Sequence, residues 1–326
     1  MKRSYLIQKK FYKLLVSFAL VLFGLVLALN PARYCTVCLE GICLWAECVL
    51  PSLFPFIVVS SLLCGLGAID ATLAPFKRVC KRFKINPAAL PLFILSAVSG
   101  YPAGSRLLSE YYLNGKISSS EAQTLAPLCS IPSPAFALSA VGFKAFGGGY
   151  SGVKLLFAAY LSVVISGVIY ALIPKKNHGV ERPVALNKAS DNLLYDSFYG
   201  AVCAVLTAGG FICFFYVLSK AISDYNLLTP LTICLRPIMG EACNGLALGL
   251  VEPTGGIFTA AKKGGFFALP IAGFLLVFGG ASILGQQLCY LTKCGVKPKS
   301  FVFLKFIQGL VAFIILCLLQ LICLSQ

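Results

Sequence analysis

The chain has 326 residues, of which 59% are apolar or aromatic and only 12% are charged, with a mean hydropathy of +0.89. A soluble domain of this size carries about a quarter charged residues, so this composition excludes a soluble enzyme and points to an all-α polytopic membrane protein. The net charge of +16 does not indicate nucleic acid as a partner: the bases cluster in short segments beside apolar spans, as the positive-inside rule requires, and no nucleic-acid-binding signature accompanies them.

In chain order, Lys2, Arg3, Lys9, Lys10 and Lys13 precede an apolar run over residues 14–29. No small-x-small cleavage site follows at Asn30-Pro31-Ala32-Arg33, so an uncleaved first helix over about 12–30 is expected, with its N-terminus cytoplasmic. Residues 31–44 read as a short outer loop. A second helix over about 46–69 returns, kinked by Pro51 and Pro55. Lys77, Arg78, Lys81, Arg82 and Lys84 then mark the cytoplasmic side. Residues 88–98 are apolar but too short to span, and Gly100-Tyr101-Pro102 stops them. Residues 103–113 are amphipathic and Asn114-Gly115-Lys116 turns, so a re-entrant hairpin is expected over 88–116. A helix over 118–143, broken near Ser130–Pro134, crosses outward, and 152–173 returns. The polar stretch 174–196 reads as a cytoplasmic linker.

The second half repeats this plan. Residues 197–219 cross outward, and an outer loop holds Asp224 and Pro230. Residues 243–251 form a half-helix that stops at Glu252-Pro253-Thr254-Gly255-Gly256, giving a second hairpin over 243–264. A helix over 265–291 is broken at residues 279–282. Lys293, Lys297 and Lys299 mark the cytoplasm again, and 301–324 form the last helix. The expected organisation is an N-terminal helix and loop (1–45), a first gate repeat with its following helix (46–173), the linker (174–196), a second gate repeat (197–291) and a C-terminal helix (292–326). That makes about seven spanning helices and two re-entrant hairpins. The first unit begins outside and the second inside, an inverted repeat of transporter type. Lys144, Lys154, Lys262 and Lys263 fall on the expected outer face, against the charge rule.

Breaks at membrane depth survive only where they are buried in protein or line a wet cavity, and paired breaks in matching halves point to a binding site. The residues at these breaks are the candidate substrate-binding set: Ser99, Gly100, Tyr101, Pro102, Ser105, Ser130 and Ser133 in the first half, and Glu252, Thr254, Gly255, Gly256, Ser282 and Gln286 in the second. The plainer reading is that Gly and Pro there only let helices approach closely. Glu252 is the most pointed residue, because an intramembrane carboxylate is costly and usually functional. Its structural alternative is an ion pair with Arg106 or Arg236. Glu47, and Glu241 with Asn244, are weaker candidates that suit a water interface. Arg106 and Glu110, four apart, suit a local helical pair.

Enzymatic constellations are lacking. His178 is the only histidine and lies in the linker, which excludes an intramembrane Ser–His–Asp arrangement. No G-x-x-x-x-G-K-[ST] appears, and Gly147-Gly148-Gly149 reads as a flexible loop. Most of the fifteen cysteines stand alone in apolar spans, where a thiol acts as a small hydrophobe. Cys35, Cys38, Cys43 and Cys48 include one C-x-x-C, too little for a metal site, and leave a disulfide open. No catalytic residue, metal or cofactor is expected. A coupling cation, H+ or Na+, is left open.

Taken together, Pro51-Ser52-Leu53-Phe54-Pro55-Phe56, Ser99-Gly100-Tyr101-Pro102-Ala103-Gly104, the Glu121-Ala122 helix leading to Leu128-Cys129, the Glu252-x-Thr254-x-Gly256 element and Phe278-Gly279-Gly280 resemble the YlbJ-type family of sporulation integral membrane proteins, within the nucleoside-recognition or gate-domain superfamily. The resemblance covers about residues 10–325. It implies a multi-pass cell-membrane protein with a transporter-like gate fold, needed for making the spore cortex. It does not assign a solute. Three functions fit this plan: a permease for a small polar solute, a non-transporting scaffold for spore-envelope membrane proteins, and a gate subunit of a larger transport complex.

Overall fold

The computed structural model describes residues 2–82, 86–172 and 192–324. Helix α1 (Lys2–Leu29) is followed by α2 (Pro31–Leu44), a π-helical turn (Trp45–Val49) and α3 (Leu50–Gly65). Two short helices, α4 (Ala68–Thr72) and α5 (Lys77–Arg82), lead to the pair α6 (Ala89–Ser99) and α7 (Ala103–Leu113). Then come α8 (Ser119–Leu125), a π-helical segment (Phe136–Ala145) and α9 (Ser151–Leu172). The second half comprises α10 (Leu193–Asp224), α11 (Thr229–Met239), the pair α12 (Cys243–Gly249) and α13 (Pro253–Lys263), then α14 (Ala268–Phe278), α15 (Gly280–Leu291) and α16 (Pro298–Leu324). Among the described residues there is no strand.

Among the described residues, five stretches are long and apolar enough to cross a membrane: Pro31–Gly65, Ser151–Ile169, Leu193–Asp224, Ala268–Cys294 and Pro298–Cys323. The other apolar segments, among them Lys13–Leu29, Ala89–Ser99 and Phe136–Ala145, are shorter. Phe157, Val164, Val168, Phe303, Ile314 and Leu318 turn outward on α9 and α16, a pattern a water-exposed surface would not sustain and a lipid-facing one does. The chain is therefore an all-helical, multi-pass membrane protein.

Two expectations need correction. Residues 31–44 are not a loop but α2, which runs on through the π-helical turn into α3. Pro31 occupies the first helical turn, where its missing N–H costs nothing. Tyr34, Val37 and Gly41 recur on one face and are buried, and α2 packs on α10. The segment after Asp224, expected as a loop, contains α11, which starts with Pro230 in its first turn and ends at Gly240, whose φ of 61° stops it. The expected linker lies largely outside the described residues, as does His178; residues 192–196 belong to the start of α10, where the Asn192 side chain accepts a bond from the Tyr195 amide at 3.1 Å.

The core is built on α14. Every residue from Ala268 to Val277 is buried, and α9, α13 and α16 pack around it. An α-helix this apolar on all sides suits burial in protein or in lipid, and here protein surrounds it. The two halves exchange arms about this core. Helix α7 of the first half packs on α15 of the second, and α13 of the second packs on the π-helical segment of the first. Close approach of α12 to α13 depends on glycine: a Cβ on Gly256 would stand 2.3 Å from the Gly249 Cα.

Helix α8, which leads into the first half's long break, begins with a capping box. The Ser118 side chain accepts from the Glu121 amide, and the Glu121 carboxylate accepts from the Ser118 amide at 2.7 Å. Ser118→Ala is expected to lower stability by about 1 kcal/mol, read as a reduced thermal midpoint in detergent with retained helical circular dichroism.

Candidate functional site

Each half contains two chain breaks, and the breaks are tied to each other. In the first half, α6 ends at Gly100, the Tyr101–Pro102 peptide is cis, and α7 begins at Ala103. The extended stretch at residues 130–133 crosses this point: the Tyr101 amide donates to the Ile131 carbonyl at 3.0 Å. A Cβ on Gly100 would lie 2.5 Å from the Ser133 nitrogen. In the second half, the break at residues 250–252 meets the α14–α15 break. The Ala281 and Ser282 amides donate to the Leu250 and Val251 carbonyls at 2.8 and 3.0 Å. Some of the backbone groups released by each interruption are thus taken up by its partner interruption, and others by side chains of α9 and α16, as burial away from water demands.

Residues at both pairs of breaks line one small cavity. Its walls come from the first half (Tyr101, Pro102, Ser133, Phe136), from the second (Thr254, Ile283, Gln286), and from α3 and α10 (Leu53, Ala208, Ile212). The cavity measures about 20 Å³, room for about one water molecule. The conformation is closed: a larger guest requires the walls to part.

The candidate residues divide around it. Tyr101, Pro102, Ser133, Thr254 and Gln286 line the cavity. The Tyr101 hydroxyl donates to the Leu276 carbonyl at 3.0 Å, which ties the first half's break to the central helix of the second. The Ser133 hydroxyl accepts from the Phe136 amide at 3.2 Å and caps the π-helical segment. Ser282 is buried and accepts from Gln286 Nε2 at 3.4 Å. Ser105 is fully buried one turn into α7, and its hydroxyl has no partner. Four candidates turn away. Ser99 donates to the Leu95 carbonyl of its own helix at 2.7 Å. Ser130 donates to Gln287 rather than into the cavity. Gly256 is a packing residue of the α12–α13 pair, and Gly255 lies under the Tyr216 ring.

Glu252 is 1% exposed. Its carboxylate accepts from the Thr254 amide at 3.1 Å and the Gly255 amide at 2.6 Å, so a full negative charge sits on the positive end of α13. Neither anticipated base pairs with it. Arg106 Nε holds Glu110 at 2.9 Å, and Arg236 holds Glu241. Among the described residues Glu252 makes no ion pair. The weaker candidates are surface groups: Glu47 is paired with Lys144 at 3.8 Å, and Asn244 donates to Glu241 at 3.1 Å. Cys35, Cys38, Cys43 and Cys48 are free thiols. Among the described residues no cluster of three or more His, Cys, Asp or Glu is placed to hold a metal ion.

A second polar group lies beside the first half's break. Lys305 of α16 is fully buried and donates to the Ser130 carbonyl. Gln308, one turn on, donates to the Pro127 carbonyl at 3.2 Å and the Ser166 hydroxyl at 2.9 Å. Gln287 accepts from Ser130. Lys305 and Gln308 stand three apart in an otherwise apolar run, and an ionisable residue inside a span is itself a functional signal; the sequence reading treats that run only as a spanning helix.

The chain is similar to the Sporulation integral membrane protein YlbJ of Bacillus subtilis (strain 168), with 26% identity over an alignment of 337 residues that covers 94% of this chain and 82% of that protein. The alignment spans both halves, so the resemblance carried by the short motifs extends along nearly the whole chain. No family model matches the chain, and no solved structure matches it.

Proposed function

We propose that the chain is a transporter-like permease of gate-domain type for a small polar solute, acting in sporulation and in the making of the spore cortex that the family resemblance implies. One observation carries this reading: interruptions from both halves meet at a single buried cavity, with an unpaired carboxylate on the helix end behind it. Small residues serving only close packing do not require a charge that costs several kcal/mol to bury. In this reading the two hairpins are re-entrant, the halves are inverted, and the N-terminus is cytoplasmic. The closed cavity is the occluded member of an alternating-access pair, and parting α7 from α15, or α13 from the π-helical segment, opens it to one side.

The test is solute-induced thermal stabilisation of the purified protein across a panel of nucleosides, amino acids, sugars and short peptides, followed by uptake into proteoliposomes. A binder at one hundred times its dissociation constant stabilises by about 2.7 kcal/mol. Thr254→Val and Gln286→Leu are expected to weaken binding of the hit by at least about fivefold each, the equivalent of one lost hydrogen bond, measured on protein that remains folded. A panel in which nothing stabilises the protein, together with normal sporulation of cells carrying both substitutions, would favour the scaffold. That second reading draws on the small size of the cavity.

A further inference from the structure

We propose that Lys305 is the proton-binding site that couples this permease to the proton gradient, its ammonium occupying the place that a bound monovalent cation would take at the first half's break. This rests on the permease reading and supplies the coupling ion that reading leaves open.

The argument begins with what the ammonium touches. An ammonium has three donors and no acceptor. The bond that fixes Lys305 runs to the Ser130 carbonyl, a backbone oxygen freed by the interruption after α8. Carbonyls of an interrupted helix are the ligands that membrane proteins offer to a monovalent cation, and here a side chain of the protein supplies the charge. Among the described residues no carboxylate lies within 4.0 Å of Lys305. The titratable groups on the surrounding elements are otherwise engaged. Glu121 on α8 is held by Ser118 and Asn86, and Tyr160 on α9 donates to the Ala97 carbonyl at 2.7 Å. Lys154, also on α9, donates to Cys323. Cys129 precedes Ser130 in the break and is buried. Helix α14 contributes no titratable side chain. A charge held only by neutral dipoles can be discharged without breaking an ion pair.

The consequence of discharge reaches the cavity through two residues. Ser130 is followed by Ile131, whose carbonyl takes the Tyr101 amide, and then by Ser133 in the cavity wall. The Ser130 hydroxyl bonds Gln287, next in the chain to the cavity residue Gln286. The Gln287 side-chain nitrogen is buried and has no partner among the described residues, a donor already in place for a rearranged break. In the proton step, the Lys305 ammonium gives one proton to water on the side open at that stage and becomes an amine. The amine keeps N–H donors but loses the charge that makes its bond to the Ser130 carbonyl strong. The break is released, and re-protonation from the other side pins it again.

Trp45 reports on this movement without labelling. It is the only tryptophan of the chain. Its indole donates to the Val205 carbonyl at 3.1 Å and lies on Gly209, one turn from cavity residues on α3 and α10. Trp45 emission of the whole protein in nanodiscs is titrated in sodium chloride and in choline chloride. The expected result is one sigmoidal step within about pH 5 to 10, identical in both salts and lost in Lys305→Met. Lys305→Arg keeps a charged donor on the Ser130 carbonyl but cannot release its proton. It is expected to fold and to show no step, which decides the question should Lys305→Met not fold. A step retained in Lys305→Arg, a midpoint that follows the sodium concentration, or a wild-type protein with no step would each overturn the proposal. A step that depends on Lys305 in a protein that binds no solute of the panel would keep the proton site and remove the permease reading.

Discussion

Glu252→Gln is expected to leave a folded protein that no longer transports. The two oxygens of Glu252 accept from the Thr254 and Gly255 amides, and both contacts stabilise the start of α13. Alanine removes them and strands two buried N–H groups, at a cost of about 2–4 kcal/mol. Loss of transport in Glu252→Ala is therefore ambiguous. Glutamine retains one carbonyl oxygen at nearly the same place and gives up the charge, so its destabilisation is smaller, about 1–2 kcal/mol. If the carboxylate only caps the helix, Glu252→Gln retains most of the uptake seen with the wild type. If it takes part in solute or cation recognition at the cavity, uptake falls at least about tenfold, the equivalent of 1.4 kcal/mol, while the thermal midpoint moves little. The paired measurement of uptake and thermal midpoint separates these two outcomes. The absence of a basic partner among the described residues favours the second: a capped helix end needs a polar acceptor, and Ser, Thr or Asn would serve without burying a charge.

The interruptions were readable because their chemistry is local. Glycine before proline ends α6 and a proline after glutamate begins α13 whatever surrounds them, and the observed helices stop and restart at residues 100–102 and 250–252. What the interruptions touch was not readable. The ties from residue 101 to 131 and from residues 250–251 to 281–282 depend on tertiary packing, as does the turning of Ser99 back onto its own helix, a choice open to any serine in an apolar helix. Helix α2 was missed because its buried face is small and mixed, Tyr34, Val37 and Gly41, and becomes a helix face only against α10. Two of the lysines expected on the outer face against the charge rule have acid neighbours distant in sequence: Lys144 lies beside Glu47, and Lys263 beside Glu241 at 4.0 Å. Ion pairs of this kind lie at segment ends and leave no periodic trace.

Gly100→Ala is expected to lower stability by about 3–5 kcal/mol. Two independent effects combine. Gly100 has φ 72° and ψ −176°, a region essentially reserved for glycine, where another residue carries about 1–3 kcal/mol of strain. The added Cβ would also stand 2.5 Å from the Ser133 nitrogen and 2.7 Å from its Cβ, overpacking worth about 1–3 kcal/mol. The nearest atom is backbone and cannot rotate away, and the Tyr101–Ile131 bond holds the two strands in place. Gly147→Ala is the matched control. Its φ is 74°, but nothing lies within 4 Å of its added Cβ, so only the backbone term remains, about 1–2 kcal/mol. The difference between their thermal midpoints in one detergent measures the contact alone. A functional consequence follows from position: Ser133 is a wall residue, and any shift that relieves the clash reshapes a cavity of about 20 Å³. Gly100→Ala is thus expected to bind no solute even under conditions where it remains folded, whereas Gly147→Ala binds as the wild type does. Equal stability of the two variants would mean that residues 100 and 133 are not in contact, and the convergence of the first half's interruptions on the cavity would go with it.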